Sequence, residues 1–193
     1  AERLKELGYA MQCVGKWHLG DQPEFLPTRQ GFDHYLGIPY SNDMQRRSKE
    51  TGERVVPLVR DDKVAELLTD EKQSLIVEKY AAEAVGFIKA NRDRPFFLYL
   101  PLTTPHTPVA PSKEWDGKSK LNAYADFVMQ TDAAVGDVLA ALKKHGLEDN
   151  TLVVFTSDNG CSPQADFPAL AKLGHNPNHV FRGNKADVYE GGH

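Results

Sequence analysis

The chain has 193 residues, 40% of them hydrophobic and 26% charged, with a formal net charge of −4. This fits one globular domain with a buried core and excludes disorder and collagen-like fibre. The mild acidity leaves no basic excess for nucleic acid or an anionic membrane, and the longest uncharged run, Pro95 to Pro111, carries five prolines and cannot span a bilayer.

In chain order, Leu4 and Leu7 before Gly8 read as the end of a helix. Tyr9 to Val14 reads as a short strand ended by Gly15, and Gly31 to Ser41 as a strand with loops. Asn42 to Lys63 is polar and without period, which predicts an irregular excursion. Thr69 is a plausible N-cap for a helix reaching Ala90, with Leu75, Ile76, Lys79, Tyr80, Ala84, Phe87 and Ile88 near one face. Phe96 to Leu100 is an apolar run of buried-strand length.

The spacing of Tyr124, Val128, Thr131, Val135, Val138 and Leu142 predicts a helix from Leu121 to His145, closed by Gly146. Thr151 to Phe155 reads as a further buried strand, and strand, helix, strand makes a right-handed βαβ unit. The remainder, from Gly160 to His193, is loop-rich. The expected fold class is α/β, with a mostly parallel central sheet flanked by helices. Ligands of such sheets gather at the carboxyl ends of the strands. The chain opens at Ala1-Glu2-Arg3 inside an apparent helix and closes at Gly191-Gly192-His193, which reads as an internal piece of a longer protein. Cys13 and Cys161 permit one disulfide at most and say nothing about compartment.

Four loop segments hold candidate chemistry. In Gly15-Lys16-Trp17-His18-Leu19-Gly20, Lys16 and His18 are two apart and share a side in extended chain. A cation beside an imidazole suits an oxyanion, although a surface lysine and a satisfied histidine would look the same. His106 lies between prolines in Thr104-Pro105-His106-Thr107-Pro108, positioned for general-acid work or for a plain loop. In Ser157-Asp158-Asn159-Gly160, Asp158 and Asn159 offer hard oxygen ligands for Ca²⁺ or Mg²⁺, but Asp-Asn-Gly is also a common turn. Lys185, in Arg182-Gly183-Asn184-Lys185 ahead of Glu190-Gly191-Gly192, adds a positive charge among glycines. Together these residues describe a site for a tetrahedral oxyanion. A cation about 4 Å from such an anion contributes a few kcal/mol at intermediate dielectric.

With these segments in this order, the chain resembles the type I sulfatases of the arylsulfatase A kind, within the alkaline phosphatase superfamily. Gly37-Ile38-Pro39-Tyr40-Ser41-Asn42-Asp43-Met44 also looks like a segment of that branch. The resemblance implies that Lys16 and Lys185 bind sulfate oxygens and that His18 stands beside the nucleophile. It implies that His106 contacts sulfate and serves as acid for the leaving group, and that Asp158 and Asn159 bind calcium or magnesium. It also implies a formylglycine nucleophile, made from Cys or Ser in a Cys/Ser-x-Pro-Ser-Arg motif upstream of the Gly-Lys-Trp-His segment. That motif is not in the chain: Cys161-Ser162-Pro163-Gln164-Ala165 has Ala165 where arginine is required, and Cys13 reads as a core residue. His175 and His179 read as loop histidines, and Asp132 as a helix-surface or structural acid.

The expectation is a partial N-terminal catalytic domain over residues 1–193 of a sulfuric ester hydrolase acting on a small-molecule or glycan sulfate ester. Its nucleophile segment and C-terminal subdomain would lie outside the chain, leaving it inactive alone. Rival readings are a phosphomonoester or phosphonate hydrolase of the same superfamily and a non-catalytic relative that binds sulfated glycans. No nucleic-acid partner and no membrane span are expected. The resemblance implies a periplasmic, secreted or lysosomal location, although no signal peptide pattern is present.

Overall fold

The computed structural model describes residues 1–193. In chain order the elements are α1 (Glu2–Glu6), β1 (Ala10–Val14), β2 (His34–Gly37), β3 (Arg46–Arg47), β4 (Arg54–Arg60), β5 (Lys63–Leu68), α2 (Asp70–Gln73), α3 (Ile76–Ala90), β6 (Phe96–Tyr99), α4 (Ala123–Lys144) and α5 (Phe167–Lys172). The sheet runs β3-β4-β2-β1-β6, with β5 on β4. β1 is parallel to both β2 and β6. β4 is antiparallel to β2, β3 and β5. The sheet is therefore mixed: a parallel centre extended by an antiparallel flank.

β1 is buried along its whole length, as a central strand covered on both faces must be. On one face Val14, Leu36 and Ile38 pack against Ile76 and Tyr80 of α3. On the other, Met11, Cys13 and Tyr35 pack against Leu26 and Phe32. Each such fully buried side chain contributes about 1.5–3 kcal/mol. Gln12 is the polar exception in β1, and its amide donates to Glu83 Oε1 at 2.8 Å. Glu83 also receives both guanidinium nitrogens of Arg60, each at 2.9 Å. This network ties α3 to the strand before the site loops.

The segment 42–63 is not an irregular excursion: it forms β3, β4 and the start of β5. Its polarity reflects a flank at the edge of the sheet: Arg54 and Arg60 at the ends of β4 are exposed, and so are most residues of β5. The helix expected from Thr69 is broken at Ser74 and Leu75. Thr69 does cap α2, but the Ser74 hydroxyl donates to Glu71 O at 2.7 Å and its own carbonyl accepts from Gln130 Nε2 at 2.8 Å. The buried face of α4 is Asp126, Phe127, Gln130, Ala134, Ala141 and Leu142, rotated from the expected stripe. Val77 and Ala81 of α3 pack with Ala134 of α4.

The expected strand Thr151 to Phe155 is absent, and with it the second half of the βαβ unit. A strand exists through its ladder, and no main-chain group of 152–156 has a main-chain partner. Leu152, Val154 and Phe155 are 89%, 76% and 79% exposed. β6 pairs with β1 alone, so its outer edge is unpaired.

Candidate functional site

Since β1, β2 and β6 are parallel, the loops that leave them emerge on one edge of the sheet. The first carries Lys16 and His18. Lys16 N donates to Pro101 O at 2.7 Å, which joins this loop to the one after β6. Trp17 N and His18 N donate to Ile38 O and Pro39 O, both at 3.0 Å, which joins it to the loop after β2. Gly15 is required here. Its φ is +133°, and a Cβ would lie 2.1 Å from Pro101 O. The Trp17 indole donates to Phe25 O at 2.8 Å and meets Phe32 edge-on, which anchors the loop from below. Lys16 is half-buried, while His18 is exposed and held at φ +58°. A histidine in the left-handed region is uncommon and costs about 1–3 kcal/mol.

His106 is half-buried on the loop after β6. That loop is fixed to α4 by the bond from Thr131 Oγ1 to Thr104 Oγ1 at 2.7 Å. His106 Nδ1 lies 2.9 Å from Thr107 O. A carbonyl only accepts, so Nδ1 carries the proton and Nε2 is the atom left to act.

The loop after β2 supplies Asp43, to which sequence reasoning assigned no role. It sits within a turn closed by Met44 N to Ser41 O at 3.0 Å. Burial works against the Asp43 charge, but the Ser41 hydroxyl and the charges of His106 and Lys16 outweigh it, so its carboxyl titrates below the usual range. Three loops thus bring Lys16, Asp43 and His106 to one place. The only sequence signal for Asp43 was its membership of the Gly37–Met44 segment.

Asp158 is exposed, and its charge reaches Tyr99, the last residue of β6, so it lies at the same edge. Asn159 is half-buried, and its carbonyl accepts from Ser157 Oγ at 2.7 Å. No three His, Cys, Asp or Glu side chains gather closely enough to hold a metal ion. Calcium takes six to eight oxygens. Asp158 and Asn159 alone do not make its site.

Lys185 is half-buried and joins the Asp158 loop by its backbone, N donating to Cys161 O at 3.0 Å. Asn178 organises this region. Its Oδ1 accepts from Cys161 N at 2.9 Å, and its Nδ2 donates to Gly183 O and to Asn184 Oδ1. Gly160 packs so closely on Gly191 that a Cβ would lie 1.6 Å from its carbonyl oxygen. Sequence reasoning passed over Asn178 because an asparagine in a polar loop carries no pattern. His175 and His179 are exposed and join no metal-binding cluster.

Neither thiol is poised as a nucleophile. Burial pushes Cys13 up to about 12. Burial also raises Cys161, against the hydrogen bond it shares with Tyr124. A wide depression lined by Glu2, Lys5, Glu6, Thr28, Arg29 and Gly31 lies at the amino ends of β1 and β2, opposite these loops. It contains no apolar side chain.

Residues 1–193 match the protein family described as Sulfatase. Rat (Rattus norvegicus) N-acetylgalactosamine-6-sulfatase is 34% identical, over 99% of this chain and 37% of its own length. Human arylsulfatase A is 33% identical, over 100% of this chain and 40% of its own. The crystal structure of Ps i-CgsB in complex with k-i-k-neocarrahexaose superposes with a TM-score of 0.75 at 31% identity, covering 99% of this chain and 44% of that one. The chain thus spans about two fifths of the length of these relatives. No helix is long and apolar enough to cross a membrane.

Proposed function

Because the chain belongs to the sulfatase family, we propose that the protein containing it hydrolyses sulfate monoesters at the carboxyl edge of this sheet. The observation that carries the reading is that Lys16 N donates to Pro101 O at 2.7 Å, which joins the Lys16 loop after β1 to the His106 loop after β6 at one edge of the sheet. A lysine and a histidine from separate strands are groups an oxyanion site draws on. A sulfate monoester carries one negative charge, which spreads over its oxygens as the ester bond breaks. Lys16 and Lys185 would oppose that charge, and pre-placed cations in a partly buried site are worth more than in water. In its imidazolium form, with both ring nitrogens protonated, His106 would give the Nε2 proton to the departing alcohol oxygen. His18 would serve the return of sulfate to water. In the net reaction the sulfur–oxygen ester bond breaks, water oxygen joins sulfur, and the alcohol leaves protonated. The family resemblance assigns the nucleophile to a formylglycine that no residue of this chain can form, so its chemistry is left to the longer protein. Calcium or magnesium, with Asp158 and Asn159 as partial ligands, belongs to the same proposal.

The substrate class we propose is a sulfated glycan. Two relatives support it by name: one is a sulfatase of N-acetylgalactosamine-6-sulfate, and another is bound to a neocarrahexaose. A periplasmic, secreted or lysosomal location, where such glycans occur, accompanies this reading.

The test is release of 4-nitrocatechol from its sulfate ester by the full-length protein, with 4-nitrophenyl phosphate as control. Lys16→Ala is expected to lower kcat/KM for the sulfate roughly 10²–10³-fold, the cost of one charge-stabilising group. Turnover of the phosphate alone, or a Lys16→Ala rate equal to wild type, would sink the reading.

A further inference from the structure

His106 sits on a loop that is tied down at its ends and not along its length. From Thr107 to Pro111 no main-chain group joins a main-chain hydrogen bond, and Pro105, Pro108 and Pro111 have no N–H to offer. The two ends are held by side chains of adjacent residues on α4. At the near end the Thr104 and Thr131 hydroxyl oxygens lie 2.7 Å apart. Thr131 has one hydroxyl proton, and Phe127 O, also at 2.7 Å, can only accept it, so the Thr104 hydroxyl donates to Thr131. At the far end Ser112 N donates to Gln130 Oε1 at 2.9 Å.

Gln130 is itself fixed. It is 1% exposed, and its Nε2 donates to Ser74 O at 2.8 Å and to Glu78 Oε1 at 2.7 Å, which leaves Oε1 to face Ser112. The break between α2 and α3 makes this possible. An unbroken helix would give Ser74 O to the main-chain amide of Glu78, four residues on. The His106 ring is carried by the loop, since Nδ1 lies 2.9 Å from Thr107 O of the same loop. Where α4 holds Thr104 and Ser112 therefore decides where Nε2 stands.

We propose that Gln130 and Thr131 are positioning residues for His106, and that together they set the place of its Nε2 proton relative to the ester oxygen of a bound sulfate ester. The inference rests on the sulfatase reading and deepens it. In the acid step one proton passes from the imidazolium Nε2 to the ester oxygen as the oxygen–sulfur bond breaks. A nitro-activated phenolate leaves with little help from that proton, and an unactivated one depends on it.

The experiment measures kcat/KM of the full-length protein for 4-nitrophenyl sulfate and phenyl sulfate, in wild type, Thr131→Val and Thr131→Ser. Thr131 is half-buried, and valine matches its shape without the hydroxyl. Thr131→Val is expected to lower kcat/KM for phenyl sulfate about tenfold, part of what a general acid supplies, and to leave 4-nitrophenyl sulfate within about twofold. Thr131→Ser keeps the hydroxyl and should hold both esters within about twofold of wild type. Gln130→Met fills a similar volume but leaves Ser112 N unpaired, and it should shift the ratio of the two esters in the same direction as Thr131→Val. A parallel fall on both esters marks a structural role and overturns the assignment, as does an unchanged ratio, and in either case the sulfatase reading stands. A wild type that cleaves neither ester overturns the reading itself, and the assignment with it.

Discussion

Lys16 and Lys185 are each tied to a neighbouring loop by one main-chain hydrogen bond, to Pro101 and to Cys161. What lies beneath the two loops differs. Under Lys16 is β1, buried from end to end and paired on both sides. Under Lys185 is a set of loops gathered on Asn178, next to a run whose apolar side chains face solvent. Both segments have the composition of a site loop, and only the first inherits the rigidity of a sheet. Local stability follows burial and ladder pairing, and the two regions sit at different points on that scale.

Paired substitutions test this difference directly. A Cβ on Gly37 would lie 1.7 Å from Gly15 O, and one on Gly160 would lie 1.6 Å from Gly191 O. The collisions are equal and the surroundings are not. Gly37→Ala forces apart β2 and the strand end beside it and should cost about 3 kcal/mol or more by urea denaturation. Gly160→Ala lies among loops that can shift, and should cost less than half as much. Equal losses would refute the contrast between the regions.

Next in size is truncation of an apolar side chain in each region. Met11 is fully buried and Met11→Ala should cost about 2–5 kcal/mol. Phe155 is 79% exposed, and Phe155→Ala in this chain should change stability by no more than about 0.5 kcal/mol. Repeating the second substitution in the longer protein sharpens the comparison: a cost of 2 kcal/mol or more there would mean that further chain covers this run.

A smaller loss tests a polar anchor of the ordered region. Asp126 is buried on α4 and accepts from Gly117 N at 2.8 Å and Ser119 N at 2.7 Å. Asp126→Ala leaves two donors unpaired and should cost about 1–3 kcal/mol. Burial works against its charge, but the Ser119 hydroxyl and these N–H groups win, so its carboxyl is held below the usual range.

The smallest effect is on pH dependence. The Arg60 guanidinium, more than burial opposes, lowers the Glu83 carboxyl, and Gln12 adds to this. A lowered carboxyl contributes stability that is complete above its unfolded pKa and is lost as pH falls through the folded one. The chain should therefore lose stability below the ordinary carboxylate range. Glu83→Gln should flatten that acid limb, which urea midpoints between pH 3 and 7 would measure. An unchanged acid limb would remove Glu83 from the account.

Much of the fold was legible in the sequence wherever one local rule acted alone. Thr69 and the glycines after α1 and α4 marked helix ends, and the apolar runs at β1 and β6 marked strands, buried at β1 but only half-buried at the edge strand β6. Lys16, His18 and His106 stood out as motifs after those strands, whereas Asp158, Asn159 and Lys185 follow a run that forms no strand. Asp43 and Asn178 did not stand out, because their roles exist only where separate loops meet.

Thr151 to Phe155 shows the boundary most clearly. Its apolar, β-branched composition determined that it favours an extended, covered strand. Composition cannot supply a ladder, since strand pairing depends on a neighbour brought from elsewhere in the chain. In the tertiary structure no main-chain partner reaches it, and it lies exposed. The rotated face of α4 has the same origin: periodicity set the helix, and the packing of Ala134 with Val77 and Ala81 chose which side is buried. Residue types and spacing thus determined the elements and the chemistry on offer. Pairing and packing between distant segments decided which elements joined the sheet and which of those groups came together.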